Sequence, residues 1–293
     1  MKRVFALLGI ATVLTACSPA APTPPAASAS PSPAISLPPD QPGPGDHTLA
    51  IVHAGVKRDY TLHAPPGYRP GTPLPLVLVL HGQPGNSAGA AGQSGMNPLA
   101  DKGGFLVAYP QGEGGRWNSG TAGDPTSGDV GFIAALVDHL ASTWAADRKR
   151  TYVAGFSAGA AFSYRLAREL PGRFAAIAPV SGRMDTVAAW TTPLGTGNPV
   201  SVLTFQGGQD MLSPAWSSTN ESWREAAGCA APVVTPIANA RGRAERRVST
   251  CANGGEHVVY ALPAMAHEWP NAREHPVDAS TLIADYFAKH HLP

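Results

Sequence analysis

The chain has little of what would place it in several large functional classes. Its 21 lysines and arginines are balanced by 20 acidic residues, a formal charge of +1 that becomes −1 once Lys2 and Arg3 are removed with a leader segment. Without an excess of positive charge, nucleic acid is not an expected partner. The basic run "RGRAERR", Arg241 to Arg247, reads as a solvated loop rather than a binding patch. Three cysteines are too few for a structural zinc site, and no His-Glu-x-x-His spacing occurs around His267 and Glu268. The stretch "GEGGRWNSG", Gly112 to Gly120, is rich in glycine but lacks the Lys-Ser/Thr of a phosphate loop. No metal or organic cofactor is implied.

What is present begins with an export signal. Met1 to Ala16 carries two positive charges, an apolar run too short for a membrane span, and small residues. It ends in "LTAC", Leu14 to Cys17, similar to a bacterial lipoprotein processing box. Cleavage before Cys17 would leave that cysteine lipidated and the protein in the cell envelope; plain secretion is the alternative. Residues 18 to 44 contain ten prolines and little that could build a core, so residues 17 to 45 are expected to be an anchor cysteine followed by a semi-extended tether. The about 248 residues from Asp46 to Pro293 suit one α/β domain. Cys229 and Cys251 form an even pair in an exported chain, expected as a disulfide closing a loop of roughly 23 residues and worth about 3 kcal/mol.

Six apolar runs read as strands, most of them without alternation: "PLPLVLVLHG", "GFLVAYP", "RTYVAGF", "FAAIAPVSG", "PVSVLTFQGG" and "EHVVYALP". Strands buried on both faces belong to parallel sheets. Ahead of them "TLAIVHAG" and "KRDYTLHAPPGY" read as a hairpin with Tyr60, Leu62 and Ala64 on one face. Four helical stretches intervene or follow: "SGDVGFIAALVDHLASTW", "AGAAFSYRLAREL", "SPAWSSTNESWREAAGC" and "PVDASTLIADYFAKHHL". This alternation predicts a mostly parallel sheet covered by helices on both faces. Only Arg183 to Asn198 lacks an element, which leaves room for a small cap or none.

The run "YVAGFSAGAA" places Ser157 between two glycines, where a buried strand gives way to a helix. A serine on such a turn has its hydroxyl exposed and the next N–H groups aimed at the same space, as a nucleophile requires; the bland reading is a capping serine. A serine needs a base, and the order Ser, acid, His along the chain points to His267, on a loop past "EHVVYALP". Asp210, just past "SVLTFQGG", is the candidate acid, with Asp185 as competitor. The expected disulfide would staple the excursion between the Asp210 and His267 loops. Backbone N–H groups of Gln83, in "HGQPGN", and of Ala158 are the expected oxyanion donors, Pro84 having none. His81 reads as structural, with a base or metal ligand as the alternative. Trp117, Asn118 and Trp269 could line the pocket, although Trp117 could equally cover the core edge.

These residues carry a resemblance. From about Tyr60 to Phe287 the segments "LVLVLHGQPGN", "MNPLADKGGFLVAYPQG", "DVGFIAALVDHL", "YVAGFSAGAAFSYRLA", "FAAIAPVSG", "ESWREAAGC" and "HEWP" are similar to the α/β-hydrolase esterases that include poly(3-hydroxybutyrate) depolymerases and feruloyl or acetylxylan esterases. The resemblance implies the α/β-hydrolase fold and a triad of Ser157, Asp210 and His267. It matches Asp129 to an acidic residue of structural role at a helix start. The chain departs from the family at Gln206, where histidine is usual, and at "MLSPAW", where tyrosine often follows the acid. The expected activity is ester hydrolysis through an acyl-enzyme, on hydroxyalkanoate oligomers or polymers, with feruloyl or acetylxylan esters, peptide bonds, or a non-catalytic envelope role as alternatives. The expected partners are the ester substrate and, through the lipid anchor, a membrane.

Overall fold

The computed structural model describes residues 35–37, 39–118, 128–184, 200–252 and 254–293. Cys17, the proline-rich stretch before residue 35, and Asp185 lie outside the described residues, as does nearly all of the segment considered for a cap.

One ten-stranded sheet organises the chain, in the order β1-β2-β4-β3-β5-β6-β7-β10-β9-β8. Its centre is parallel: β4 (Leu106–Pro110), β3 (Leu74–Leu80), β5 (Ala146–Phe156), β6 (Ala176–Val180), β7 (Ser201–Gly207) and β10 (Glu256–Leu262). These are the six runs read as strands. An antiparallel hairpin closes each edge. The first, β1 (Gly45–His53) and β2 (Val56–Ala64), turns at Ala54 and Gly55, whose positive φ values of 50° and 77° suit a two-residue hairpin. The second, β8 (Val233–Asn239) and β9 (Gly242–Thr250), was not foreseen. It takes up most of the basic run expected as a loop. In β9 only Ala244 and Ser249 are buried, and β8 is almost wholly exposed, so neither shows the apolar signature of the central strands.

Helices α1 (Ser87–Ser94), α2 (Met96–Gly103) and α6 (Ala279–Phe287) cover one face, and α3 (Gly128–Thr143), α4 (Ala158–Glu169) and α5 (Ser213–Ala226) cover the other. Strand β3 explains why its sequence does not alternate. Leu76, Leu78 and Leu80 pack with Phe132, Ile133, Phe162 and Trp223, whereas Val77 and Val79 pack with Met96, Ile283 and Phe287. Tyr60, Leu62 and Ala64 of β2 share the first of these cores, as their spacing required.

The packed body begins ahead of Asp46, the boundary expected from composition. The buried carboxylate of Asp40 accepts from the Tyr60 hydroxyl at 3.2 Å and the Trp144 indole at 2.8 Å, and lies 2.9 Å from His139 Nε2. One acidic side chain in a proline-rich stretch thus fixes the end of that stretch against β2 and α3. At the other end of the chain Cys229 and Cys251 are joined by a disulfide, which ties the end of α5 to the end of β9.

Strand β3 is followed in sequence by β4 on one side of it, whereas β5, β6, β7 and β10 lie on the other. The chain reverses direction across the sheet between β3 and β5. In open α/β sheets the crevice outside the carboxyl ends at such a point is where ligands bind. The loops after β3, β5, β7 and β10 all emerge at that end.

Candidate active site

Ser157 terminates β5 with φ 53° and ψ −113°, a strained conformation for a residue with a side chain, worth about 1–3 kcal/mol. Its N–H donates to Val180 O at 3.0 Å, and its carbonyl accepts from Ala161 N–H at 3.0 Å, so neighbours on β6 and α4 hold the strain in place. The two flanking glycines permit the turn. A Cβ on Gly155 would sit 2.3 Å from Gly159 O, and one on Gly159 would sit 2.5 Å from Leu80 O. Helix α4 can therefore start directly against β3 and β5.

Past β10, the loop brings His267 Nε2 to 2.9 Å from Ser157 Oγ. Past β7, Asp210 Oδ2 lies 2.6 Å from His267 Nδ1. Asp210 is fully buried, and its other oxygen accepts from Leu212 N–H at 2.8 Å, which leaves Oδ2 for the ring. The histidine ring is partly exposed and packs beside Phe156 at 5.0 Å between centroids. A hydroxyl, an imidazole and a carboxylate from three loops thus form one hydrogen-bonded line, across sequence separations of 110 and 57 residues.

The loop after β3 lies against the nucleophile, since a Cβ on Gly82 would sit 3.5 Å from Ser157 Cβ. Among the described residues, the N–H groups of Gln83 and Ala158 have no hydrogen-bond partner. For Ala158 this follows from its place at the first position of α4, where helical N–H groups have no acceptor within the helix.

His81 proves structural. Its Nδ1–H donates to Gly82 O at 2.7 Å and its Nε2 accepts from Gly112 N–H at 3.0 Å, so both ring nitrogens are spent. Burial lowers its pKa and keeps the ring neutral. Trp117 covers it: the rings stack at 4.4 Å, the indole N–H donates to His81 O at 2.8 Å, and Phe162 stacks on the far side at 5.2 Å. Trp117 is half-buried and packs against the edge of the core. Asn118 is exposed, and its backbone is pinned to Asp129, with N–H to Oδ2 at 2.6 Å and O to Asp129 N–H at 2.7 Å. Asp129 is buried with Arg58 in an ion pair, and the guanidinium lies 3.9 Å over the Phe132 ring. A buried brace therefore runs from Arg58 through Asp129 and Trp117 to His81 and the loop holding Gln83.

Trp269, considered for the pocket, is seated in the core instead. It is 6% exposed and its indole donates to Ser280 Oγ at 2.9 Å. Gln206 makes a reciprocal amide pair with Asn220 at 3.2 and 2.9 Å, tying the end of β7 to α5. The residues that shape the His267 loop were not foreseen. Glu268 Oε1 accepts from Ala266 N–H at 3.2 Å and lies 3.1 Å from His275 Nε2, while Ser181 Oγ donates to Glu268 O at 2.8 Å. The short spacing of Ala266 and Glu268 about His267 was the only signal available. No group of residues able to hold a metal ion occurs among the described residues, and none of their helices is long and apolar enough to cross a membrane.

The family model described as Esterase PHB depolymerase matches residues 58–190, and the model for a prokaryotic membrane lipoprotein lipid attachment site matches residues 1–18. The chain is 38% identical over 172 residues to a protein of Nocardia uniformis subsp. tsuyamanensis that carries the name esterase NocK, covering 56% of this chain and 48% of that one. It is 35% identical over 127 residues to poly(3-hydroxyalkanoate) depolymerase C of Paucimonas lemoignei, covering 41% of this chain and 30% of that one. The chain thus spans less than half the length of either relative. Among solved structures, acetyl xylan esterase from Aspergillus awamori superposes with a TM-score of 0.67 at 19% identity, covering 83% of this chain and 99% of that one. The protein has the α/β-hydrolase fold, and over residues 58–190 its sequence matches the family model described as Esterase PHB depolymerase.

Proposed function

We propose that this protein is a serine carboxylic-ester hydrolase that works through an acyl-enzyme. One observation carries the reading: the continuous line from Ser157 Oγ through the His267 ring to Asp210, at 2.9 and 2.6 Å. His267 Nε2 takes the hydroxyl proton as Ser157 Oγ attacks the ester carbonyl, while Asp210 holds the proton on Nδ1 and offsets the charge of the imidazolium. The oxyanion faces the N–H groups of Gln83 and Ala158. As the tetrahedral intermediate collapses, His267 returns the proton to the departing alcohol. Water, deprotonated by the same ring, then attacks the acyl-enzyme, and Ser157 leaves with its proton restored.

The substrate class favoured is oligo- or polyesters of 3-hydroxyalkanoates, supported by the family match over residues 58–190 and by the named depolymerase relative. Feruloyl and acetylxylan esters are the second reading, supported by relatives bearing those names. Export with lipid attachment at Cys17 is supported by the match over residues 1–18, and under this reading the hydrolase works in the cell envelope.

A panel run on the purified protein tests the reading: hydroxybutyrate oligomers, a feruloyl ester, acetylated xylan, and a short-chain aryl ester beside its anilide. Faster turnover of the oligomers than of the other natural esters supports the first substrate class. Faster turnover of the anilide than of the aryl ester would make the protein a peptidase. Absence of turnover on the whole panel would leave a non-catalytic envelope protein.

A further inference from the structure

The basic hairpin has no part in the chemistry above, yet it reaches toward it. Strand β9 pairs with β10 as far as Glu245 opposite Ala261, and the β8–β9 ladder continues to Asn239 opposite Gly242. The tip therefore overshoots the last β10 pair by three residues, roughly 10 Å at about 3.4 Å per residue. The overshoot is toward the carboxyl ends of the parallel strands, where Ser157, Asp210 and His267 sit. A bond from Asn239 Nδ2 to Pro276 O, 3.0 Å, joins the tip to the same β10–α6 loop that carries His267.

The charges on this rim are unevenly satisfied. Each acidic side chain nearby already has a partner. Glu245 takes Arg247 at 2.7 Å, Glu268 takes His275 and Ala266 N–H, Glu274 takes Asn271 Nδ2 at 3.1 Å, and Asp278 caps α6 through Thr281 N–H at 2.8 Å. Arg241 and Arg243 at the tip, and Arg273 on the loop, are exposed and have no acidic partner among the described residues. Three guanidinium groups thus stand on the loop side of the site with their forks unoccupied. A guanidinium fork matches a carboxylate in a bidentate manner.

We infer that this rim recognises a carboxylate on the substrate, and that the preferred ester is an oligomer with a free acid end rather than the interior of a neutral polymer. The inference rests on the hydrolase reading above. An oligomer of a hydroxy acid carries one carboxylate, at its acid end, whereas the chain interior is uncharged. The rim therefore separates soluble oligomers from polymer surface by charge alone.

The test uses a 3-hydroxybutyrate tetramer with its free acid and the same tetramer capped as a methyl ester. Both are measured as competitors of 4-nitrophenyl butyrate hydrolysis. At low ionic strength the free acid is expected to compete about tenfold more tightly than the capped form, and added salt should erode that ratio. In the double variant Arg241→Glu, Arg243→Glu the ratio should fall to one or below, through like-charge repulsion. Arg69→Glu makes a charge change of the same kind on a loop at the opposite end of the sheet, and should keep the wild-type ratio. Equal competition by both tetramers in the wild type, or a preference that survives the double reversal, overturns the carboxylate rim and leaves the hydrolase reading intact. Failure to hydrolyse the aryl ester at all would end both.

Discussion

His81 donates its Nδ1–H to the carbonyl oxygen of Gly82 across 2.7 Å, and that carbonyl shares a peptide unit with the N–H of Gln83. In a planar trans peptide the C=O and N–H point in opposite directions. Holding Gly82 O toward the buried ring therefore turns Gln83 N–H the other way, away from that ring. Under the proposed mechanism His81 positions an oxyanion donor without touching the substrate.

His81→Ala should accordingly lower kcat on a neutral aryl ester by roughly tenfold to a hundredfold with little change in KM, less than the loss of a whole donor. His81→Asn, whose amide can still donate, should recover part of the loss. A steady-state comparison of the three proteins checks this, and an unaltered kcat in His81→Ala would contradict it.

The brace behind that loop depends on a buried charge pair. Asp129→Ala removes the partner of Arg58 and an acceptor for Asn118 N–H, and should destabilise the protein by about 3–5 kcal/mol in denaturant unfolding. Replacing both charges with apolar residues, as in Arg58→Met with Asp129→Leu, should recover most of that stability. If the single variant stayed within experimental error of the wild type, the pair would be bracing nothing.

Acid should weaken the fold through histidines. Burial, aided by the Arg224 charge, lowers the pKa of His257 in β10 to about 4, and burial also lowers that of His81. In the unfolded chain both titrate near 6.5, so between that value and the folded pKa the unfolded state binds more protons. Both contributions are complete above about pH 6.5, and that of His257 is lost as pH falls toward 4, by up to about 3 kcal/mol. Unfolding free energies measured between pH 7 and 4 should fall for the wild type and fall less steeply for His257→Phe. Parallel curves for the two proteins would rule out this assignment.

Much of this architecture is legible in the sequence. The six central strands announce themselves because burial on both faces forbids polar residues, and Ser157, Asp210 and His267 each sit just past one of them. What escaped notice lacks that signature. Helix α1 is built of small residues with no apolar stripe; its signals were the caps, Asn86 accepting from Gly89 N–H at 2.8 Å and Gly95 in the left-handed region. The β8–β9 hairpin buries too little to show a period. Trp269 looked like a pocket residue because it stands two positions from His267. Its partner Ser280 lies eleven positions away, and that contact follows from the packing of α6, which no local pattern encodes.

Under the proposed mechanism Ser157 becomes acylated because His267 and Asp210 make it nucleophilic. Intact-protein mass spectrometry after exposure to a fluorophosphonate tests it most directly. One adduct is expected on the wild-type protein, mapped to the peptide containing Ser157, with none on Ser157→Ala and labelling slowed by several orders of magnitude in His267→Ala. An unlabelled wild-type protein, or an adduct that persists after Ser157→Ala, would contradict it.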